Sequence, residues 1–343
     1  GSKSGMSLGL IRSIRFSMLT LLALLALVLF LRNYQQFADS RIAIQPSPAA
    51  FTVNPGDGLN KVLPKIRSAG ITAGYDWQWK VLAARMGMAG RIHVGDYEIP
   101  DRSTPKDILH RLATGDTARI KFALIEGWNF RQLKQALLAL DGLQDDISGK
   151  SDAEIMSLIG RPGMHPEGRF LPDTYFIPKS GRKSDVLRQA ADAMDSALAK
   201  AWQGRNPEVP LKSAEELLIL ASIVEKETGQ AAERPQIAGV FARRLKLGMR
   251  LQTDPTVIYG IGASYDGDIR RRDLRTDTPY NTYTRAGLPP TPIAMPGKAA
   301  LQAAANPADG DALYFVASGD GRHVFSANYD DHRKAVATHQ LKQ

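Results

Sequence analysis

The residues best suited to chemistry in this chain are two carboxylates two positions apart, Glu225 and Glu227, at the end of the apolar run LLILASIVEKET. Other catalytic routes are missing their parts. There are no cysteines, which excludes thiolate nucleophiles, disulfides and cysteine-held zinc. The six histidines (His93, His110, His165, His323, His332 and His339) include no pair at the H-E-x-x-H spacing of a helical zinc site. Ser-x-x-Lys occurs at Ser103/Lys106 and Ser180/Lys183 without the Lys-Thr-Gly that acyl-serine chemistry needs, and there is neither a G-x-S-x-G elbow nor a Walker-type loop. Proton transfer by a carboxyl group remains, with no cofactor and no metal implied.

Ser213 to Glu227 reads as the helix that positions these acids, with a Ser213/Glu216 capping box at its start and Gly229 as its stop. Leu217, Leu218, Ile219, Leu220, Ala221, Ile223 and Val224 leave it no polar face, which predicts a core helix. Glu225 stacks above Ala221 and Leu218. Desolvation and the negative end of the helix dipole both disfavour a carboxylate there. A carboxylic acid that stays protonated near neutral pH is what protonation of a glycosidic oxygen requires. Glu227 competes for the role, above Ile223 and Leu220 on another face, with Lys226 between them facing solvent. The bland alternative for Glu225 is a helix-end acid paired with a lysine or arginine.

At 343 residues the chain is long enough for two domains. The first five residues read as a tag scar before Met6, and residues 1–15 as that scar plus a cytoplasmic tail. Phe16 to Leu31 is uncharged and almost wholly apolar, with Arg12 and Arg15 before it and Arg32 after it. This predicts a transmembrane helix over 16–34 with the N-terminus inside. A cleaved signal peptide is the alternative, disfavoured by the lack of a clean small-x-small site. Residues 35–50 read as a linker. Strand, helix, helix and strand signals follow from Phe51 to Pro100, then a helix opened by Thr104. A strand at 120–124 and helices at 130–140, 152–160, 184–202, 213–227 and 235–247 come next, with an irregular stretch at 164–180. A Pro-rich loop, a β-hairpin around Gly319-Asp320-Gly321-Arg322 and a helix from Asp330 to Gln340 close the chain. The net charge is +9 with a pI near 9.6. The basic residues are scattered and not interleaved with aromatics, so no nucleic-acid partner is expected.

The ordered stretches LASIVEKET, ERPQIAGVFARRLKLGMRLQTDPTVIYG, TPYNTYTRAGLPPTPIAMPG and ALYFVA resemble the endolytic murein transglycosylases, the MltG or YceG-like family. EGWNFRQL at 126–133 and EGRFLPDTYFIP at 167–178 fit as well. The resemblance covers nearly the whole chain after residue 15. Ile125, where the family more often has proline, departs from it at a turn.

The resemblance implies an α+β fold: an N-terminal transmembrane helix, a small LysM-like βααβ module at 51–115 and a mixed α+β catalytic domain at 116–343. It puts the catalytic glutamate at Glu225. Gln252, Thr253, Asp254 and Tyr259 look like one wall of the substrate cleft. Tyr280, Asn281, Thr282 and Tyr283, with the turn at 287–290, look like the other, and Glu167 and Asp173-Thr174-Tyr175 line the groove. Asn281 and Gln252 are expected to hydrogen-bond sugar groups, tyrosine rings to face pyranoses, and Glu227 or Asp254 to stabilise a developing cation. Each of these residues also has a plain structural reading, as a cap, a loop former or a core side chain.

The implied reaction is cleavage of the MurNAc–GlcNAc bond to a 1,6-anhydromuramic end, terminating nascent glycan strands at the periplasmic face of a bacterial inner membrane. The implied partners are peptidoglycan strands and cell-wall synthases, the penicillin-binding proteins. A muramidase-type hydrolase using Asp254 as second carboxylate, and a non-catalytic peptidoglycan-binding scaffold, are the rival readings. The LysM-like module is either a glycan holder or a spacer.

Overall fold

A computed structural model describes residues 5–88 and 90–339. Most of the expected tag scar, and Gln340 at the end of the expected closing helix, lie outside the described residues. The chain divides into two compact units, residues 1–119 with 178–180, and residues 120–177 with 181–343.

The first unit begins with α1 (Gly5–Asp39), whose segment Ser13–Asp39 has mean hydropathy 2.5 and is long and apolar enough to cross a membrane. The strands β1 (Ala49–Val53) and β2 (Gly95–Ile99) pair antiparallel, with Phe51 opposite Tyr97 and their rings stacked. Between them run α2 (Leu59–Ser68) and α3 (Asp76–Arg85), and α4 (Pro105–Thr114) follows. The βααβ order is the expected one. Val62, Leu63 and Ile66, spaced for one helix face, are buried in the unit's core. Thr104 caps α4: its hydroxyl accepts from the Asp107 N–H, and the Asp107 carboxylate accepts from the Thr104 N–H.

The expected linker at 35–50 is corrected. The helix runs on to Asp39, and Tyr34, Phe37, Ala38, Ile42, Ile44 and Ala49 are all buried. Pro and Ser give this stretch the composition of a spacer, but its apolar residues are spaced to fill the module's core.

In the second unit β3 (Arg119–Ala123) pairs with β4 (Thr174–Pro178), a strand inside the stretch expected to be irregular. The helices are α5 (Phe130–Leu138), α6 (Asp152–Leu158), α7 (Lys183–Gln203), α8 (Ala214–Glu227), α9 (Arg234–Lys246), α10 (Asp254–Ile261), α11 (Arg271–Arg275) and α12 (Lys298–Ala305). An antiparallel hairpin, β5 (Tyr314–Ala317) and β6 (His323–Ser326), precedes α13 (Tyr329–His339).

As its composition requires, α8 is the core of this unit, with α7, α9 and α12 packed around it. Every residue from Leu217 to Val224 is buried. α12 was not anticipated; its sequence KAALQAAA has no bulky periodicity, and its small side chains let it lie close against α8. The start of α8 carries half of the expected capping box. Ser213 Oγ accepts from the Glu216 N–H at 3.2 Å, while the Glu216 carboxylate accepts from the Lys212 N–H instead. Thr228, extended at φ −143°, ends the helix one residue before the predicted Gly229. Ile223 is fully buried in this core. Ile223→Val should lower unfolding stability by about 1 kcal/mol, read from the urea midpoint at unchanged slope.

Candidate active site

The last turn of α8 delivers its two glutamates to different surroundings. The Glu225 side chain is 4% exposed, and both its oxygens are engaged. Oε1 accepts from Arg234 Nη2 at 3.1 Å and Oε2 from the Gly297 N–H at 2.9 Å. Arg234, at the start of α9, is itself buried and also lies 3.6 Å from Glu126. Gly297 packs against the Glu126 side chain, and a Cβ there would lie 2.1 Å from Glu126 Oε1, so a larger residue would displace that carboxylate. Glu225 therefore sits in an internal ion pair, the alternative the sequence left open.

Glu227 faces a 510 Å³ cavity, shared with Gln252, Asp254, Tyr283, Arg244 and His323. Thr253 Oγ1 donates to its Oε1. Burial, reinforced by the nearby Asp254 charge, pushes the Glu227 carboxyl up to about 7 against the opposing Thr253 hydrogen bond. Glu227, two residues beyond Glu225, is thus a desolvated carboxyl that also faces a cavity. The Glu225 side chain lines neither this cavity nor the second one described below.

Three threonines hold this wall. Thr253 is buried and its N–H donates to Thr282 Oγ1 at 3.0 Å. Thr256 Oγ1 lies 2.9 Å from the same hydroxyl and donates to the Thr253 carbonyl. Gln252, exposed, adopts φ +50°, a left-handed conformation uncommon outside glycine, and its N–H donates to the Thr282 carbonyl. Tyr283 Oη donates to Asp254 Oδ1 at 2.5 Å.

Asn281, expected as a sugar contact, is placed inside its own loop. It is 1% exposed; its amide donates to the Asp273, Leu274 and Thr276 carbonyls, and its Oδ1 accepts from the Tyr283 N–H. Asn281 thus shapes the loop that carries Tyr283. Thr253 and Thr282 are likewise buried supports and not surface contacts.

Glu167, Tyr259 and Tyr280 belong to a second cavity, of 610 Å³. α10 contributes Asp254 to the first cavity and Pro255, Ile258 and Tyr259 to the second. Glu167 is 3% exposed and accepts from the Phe130 N–H at 3.0 Å and from Tyr259 Oη at 3.0 Å. The Tyr259 and Tyr280 rings meet edge-on at 4.9 Å. Asp173, Thr174 and Tyr175, expected in the same groove, line a third cavity with Lys200 and Lys298.

Burial raises Glu167 from 4.5 to about 7. The folded protein therefore keeps its proton where the unfolded chain has lost it. The resulting stabilisation is complete below about pH 4.5 and is lost as pH rises to about 7. Glu167→Gln should flatten that fall, measured by urea unfolding at pH 5 and pH 8.

Arg234, Gly297, Arg244 and His323 escaped the sequence reading. Arg244 is buried, and its guanidinium donates to the Leu313 and Leu251 carbonyls, which pins β5 beside the loop leading to Gln252. His323 Nδ1 lies 2.8 Å from Glu233 Oε2. These are long-range pairings with no local sequence signal. Among the described residues, no three His, Cys, Asp or Glu side chains gather as a metal ion would need.

The model of the YceG-like family matches residues 51–338. An endolytic murein transglycosylase of Bacillus subtilis (strain 168) is 37% identical over 172 residues, which are 50% of this chain and 47% of that protein. An endolytic murein transglycosylase of Streptococcus pneumoniae (serotype 2, strain D39) is 34% identical over 181 residues, 50% of this chain and 32% of that one. The chain thus matches less than half the length of either relative. A crystal structure of a YceG-like protein from Listeria monocytogenes aligns with a TM-score of 0.52 at 26% identity, covering 84% of this chain and 99% of that one.

Proposed function

Because the chain belongs to the YceG-like family, we propose that it is an endolytic lytic transglycosylase of peptidoglycan and that Glu227, not Glu225, is its acid. The observation that carries this reading is the Glu227 carboxyl, desolvated, held near pH 7 and facing a cavity with Gln252, Asp254 and Tyr283. Glu225 has its oxygens committed to Arg234 and Gly297.

In the mechanism, protonated Glu227 donates to the oxygen bridging MurNAc C1 to GlcNAc. The C1–O bond breaks, and the departing GlcNAc keeps the proton as a hydroxyl. Positive charge develops at C1, with the Asp254 carboxylate in the same cavity. The MurNAc C6 hydroxyl attacks C1 and loses its proton to Glu227, which closes the 1,6-anhydro ring and regenerates the acid. One carboxyl group serves both transfers; a glycosidase needs a second to activate water or attack C1. Gln252, exposed in its left-handed conformation, is the polar group offered to an N-acetyl or hydroxyl. Tyr259 and Tyr280 offer ring surface in the second cavity, with Glu167 beneath them.

The N-terminal helix is proposed as an uncleaved anchor in a bacterial inner membrane, with the N-terminus cytoplasmic and the rest periplasmic. Supporting this, Tyr34, Phe37 and Ala38 fill the core of the small module, so cleavage near the end of α1 would remove core side chains. In that place the enzyme would meet nascent strands and their synthases. The small module is proposed as LysM-like on its βααβ order.

Digestion of purified sacculi followed by mass spectrometry tests the reaction. Anhydromuramic ends are expected. Reducing ends would assign a hydrolase with Asp254 as second carboxylate, and no new ends would leave a binding scaffold.

A further inference from the structure

Helix α3 presents apolar side chains on both faces. Gln78, Trp79, Leu82 and Ala83 point into the module, while Trp77 and Val81, one turn apart, are exposed at 39% and 38%. Tyr75, at the helix N-cap, is 71% exposed. Scattered apolar exposure means little by itself. What gives this edge a partner is its continuity with α1. The Trp77 ring stacks on Phe30 at 5.0 Å and 15° between planes. Phe30 is the penultimate residue of the uncharged run that ends at Leu31.

The joint between α1 and the module is packed and hydrogen-bonded. Phe37 lies edge-on to Trp79 at 5.4 Å, and Gln78 Nε2 donates to Asn33 Oδ1 at 3.0 Å. Lys106 pairs with Asp39 at 2.6 Å. A Cβ at Gly74 would lie 2.1 Å from the Phe37 ring, so the helix is seated as closely as the backbone allows. Wherever α1 places Phe30, it places Trp77.

In a bilayer-spanning α1, Phe30 sits about 3 Å along the axis from charged Arg32. That is the boundary depth where tryptophan and tyrosine concentrate. We propose that the outer edge of α3, formed by Tyr75, Trp77 and Val81, inserts into the headgroup boundary of the bilayer that α1 crosses. The small module then rests on the lipid surface. Exposed Arg32, Lys80 and Arg85 supply cations for anionic headgroups. The inference depends on the anchor reading above.

Because the chain lacks cysteine, single cysteines can carry spin labels in the full chain. Leu24→Cys, Thr52→Cys, Tyr75→Cys and Val81→Cys would be reconstituted in phosphatidylcholine–phosphatidylglycerol vesicles. Collision with oxygen against a water-soluble nickel chelate reads depth. Leu24 should read as deep, exposed Thr52 as aqueous, and Tyr75 and Val81 several-fold more lipid-accessible than Thr52. A deep Leu24 with Tyr75 and Val81 indistinguishable from Thr52 overturns the docking while leaving the anchor intact. An aqueous Leu24 overturns the anchor, and the docking with it.

Discussion

Glu227→Gln is expected to fold like the parent and to lose anhydro-ended glycan release by about 10²- to 10⁴-fold, the usual worth of a general acid. Glutamine has nearly the same shape, and its amide oxygen can accept the Thr253 hydroxyl as the carboxylate does. It cannot give a proton to a departing sugar. The parent should also lose activity as pH climbs through about 7, because the first transfer needs the protonated form and burial holds that titration near 7. The variant's residual activity should lack this limb. Both measurements use the same digest, with anhydromuramic ends counted by mass spectrometry between pH 5 and pH 9. Near-parental release by a folded Glu227→Gln protein would show that the proton comes from elsewhere.

The sequence carried the fold further than it carried the site, for a physical reason. An all-apolar α8 has one place to go, and its burial from Leu217 to Val224 is what that composition demands. The βααβ order, the Thr104 cap and the Gly319–Arg322 hairpin are local patterns that local residues determine. The exchange between Glu225 and Glu227 is of another kind. Helical spacing says that the two acids point in different directions, but not which direction holds a cation. Arg234 is nine residues beyond Glu225 across a chain reversal, and Gly297 is seventy-two residues away. Asn281 shows the same limit: a polar side chain in a loop reads as a sugar contact, yet its amide is spent on three carbonyls inside the loop. The expected linker failed in the opposite sense, because Pro and Ser masked apolar residues that fill a core.

Arg234→Met should cost about 3–5 kcal/mol of stability, the range for removing one member of a buried ion pair. The Glu225 side chain is 4% exposed and Arg234's is 9%, so water cannot replace the lost partner. Methionine refills most of the stem volume but leaves the carboxylate with the Gly297 N–H alone. Glu225→Gln in the Arg234→Met background removes the stranded charge while keeping an acceptor for that N–H, and should recover part of the loss. Urea unfolding of the parent, both single variants and the double variant gives the coupling directly. Additive single losses would mean that the pair is not an internal contact. The double variant also separates the two candidate acids by activity. With the proton on Glu227, the Glu225→Gln/Arg234→Met protein, assayed below its lowered melting temperature, keeps releasing anhydro ends. With the proton on Glu225, the same protein is stable enough to assay yet silent, because the only change at the acid is the one that removes its proton.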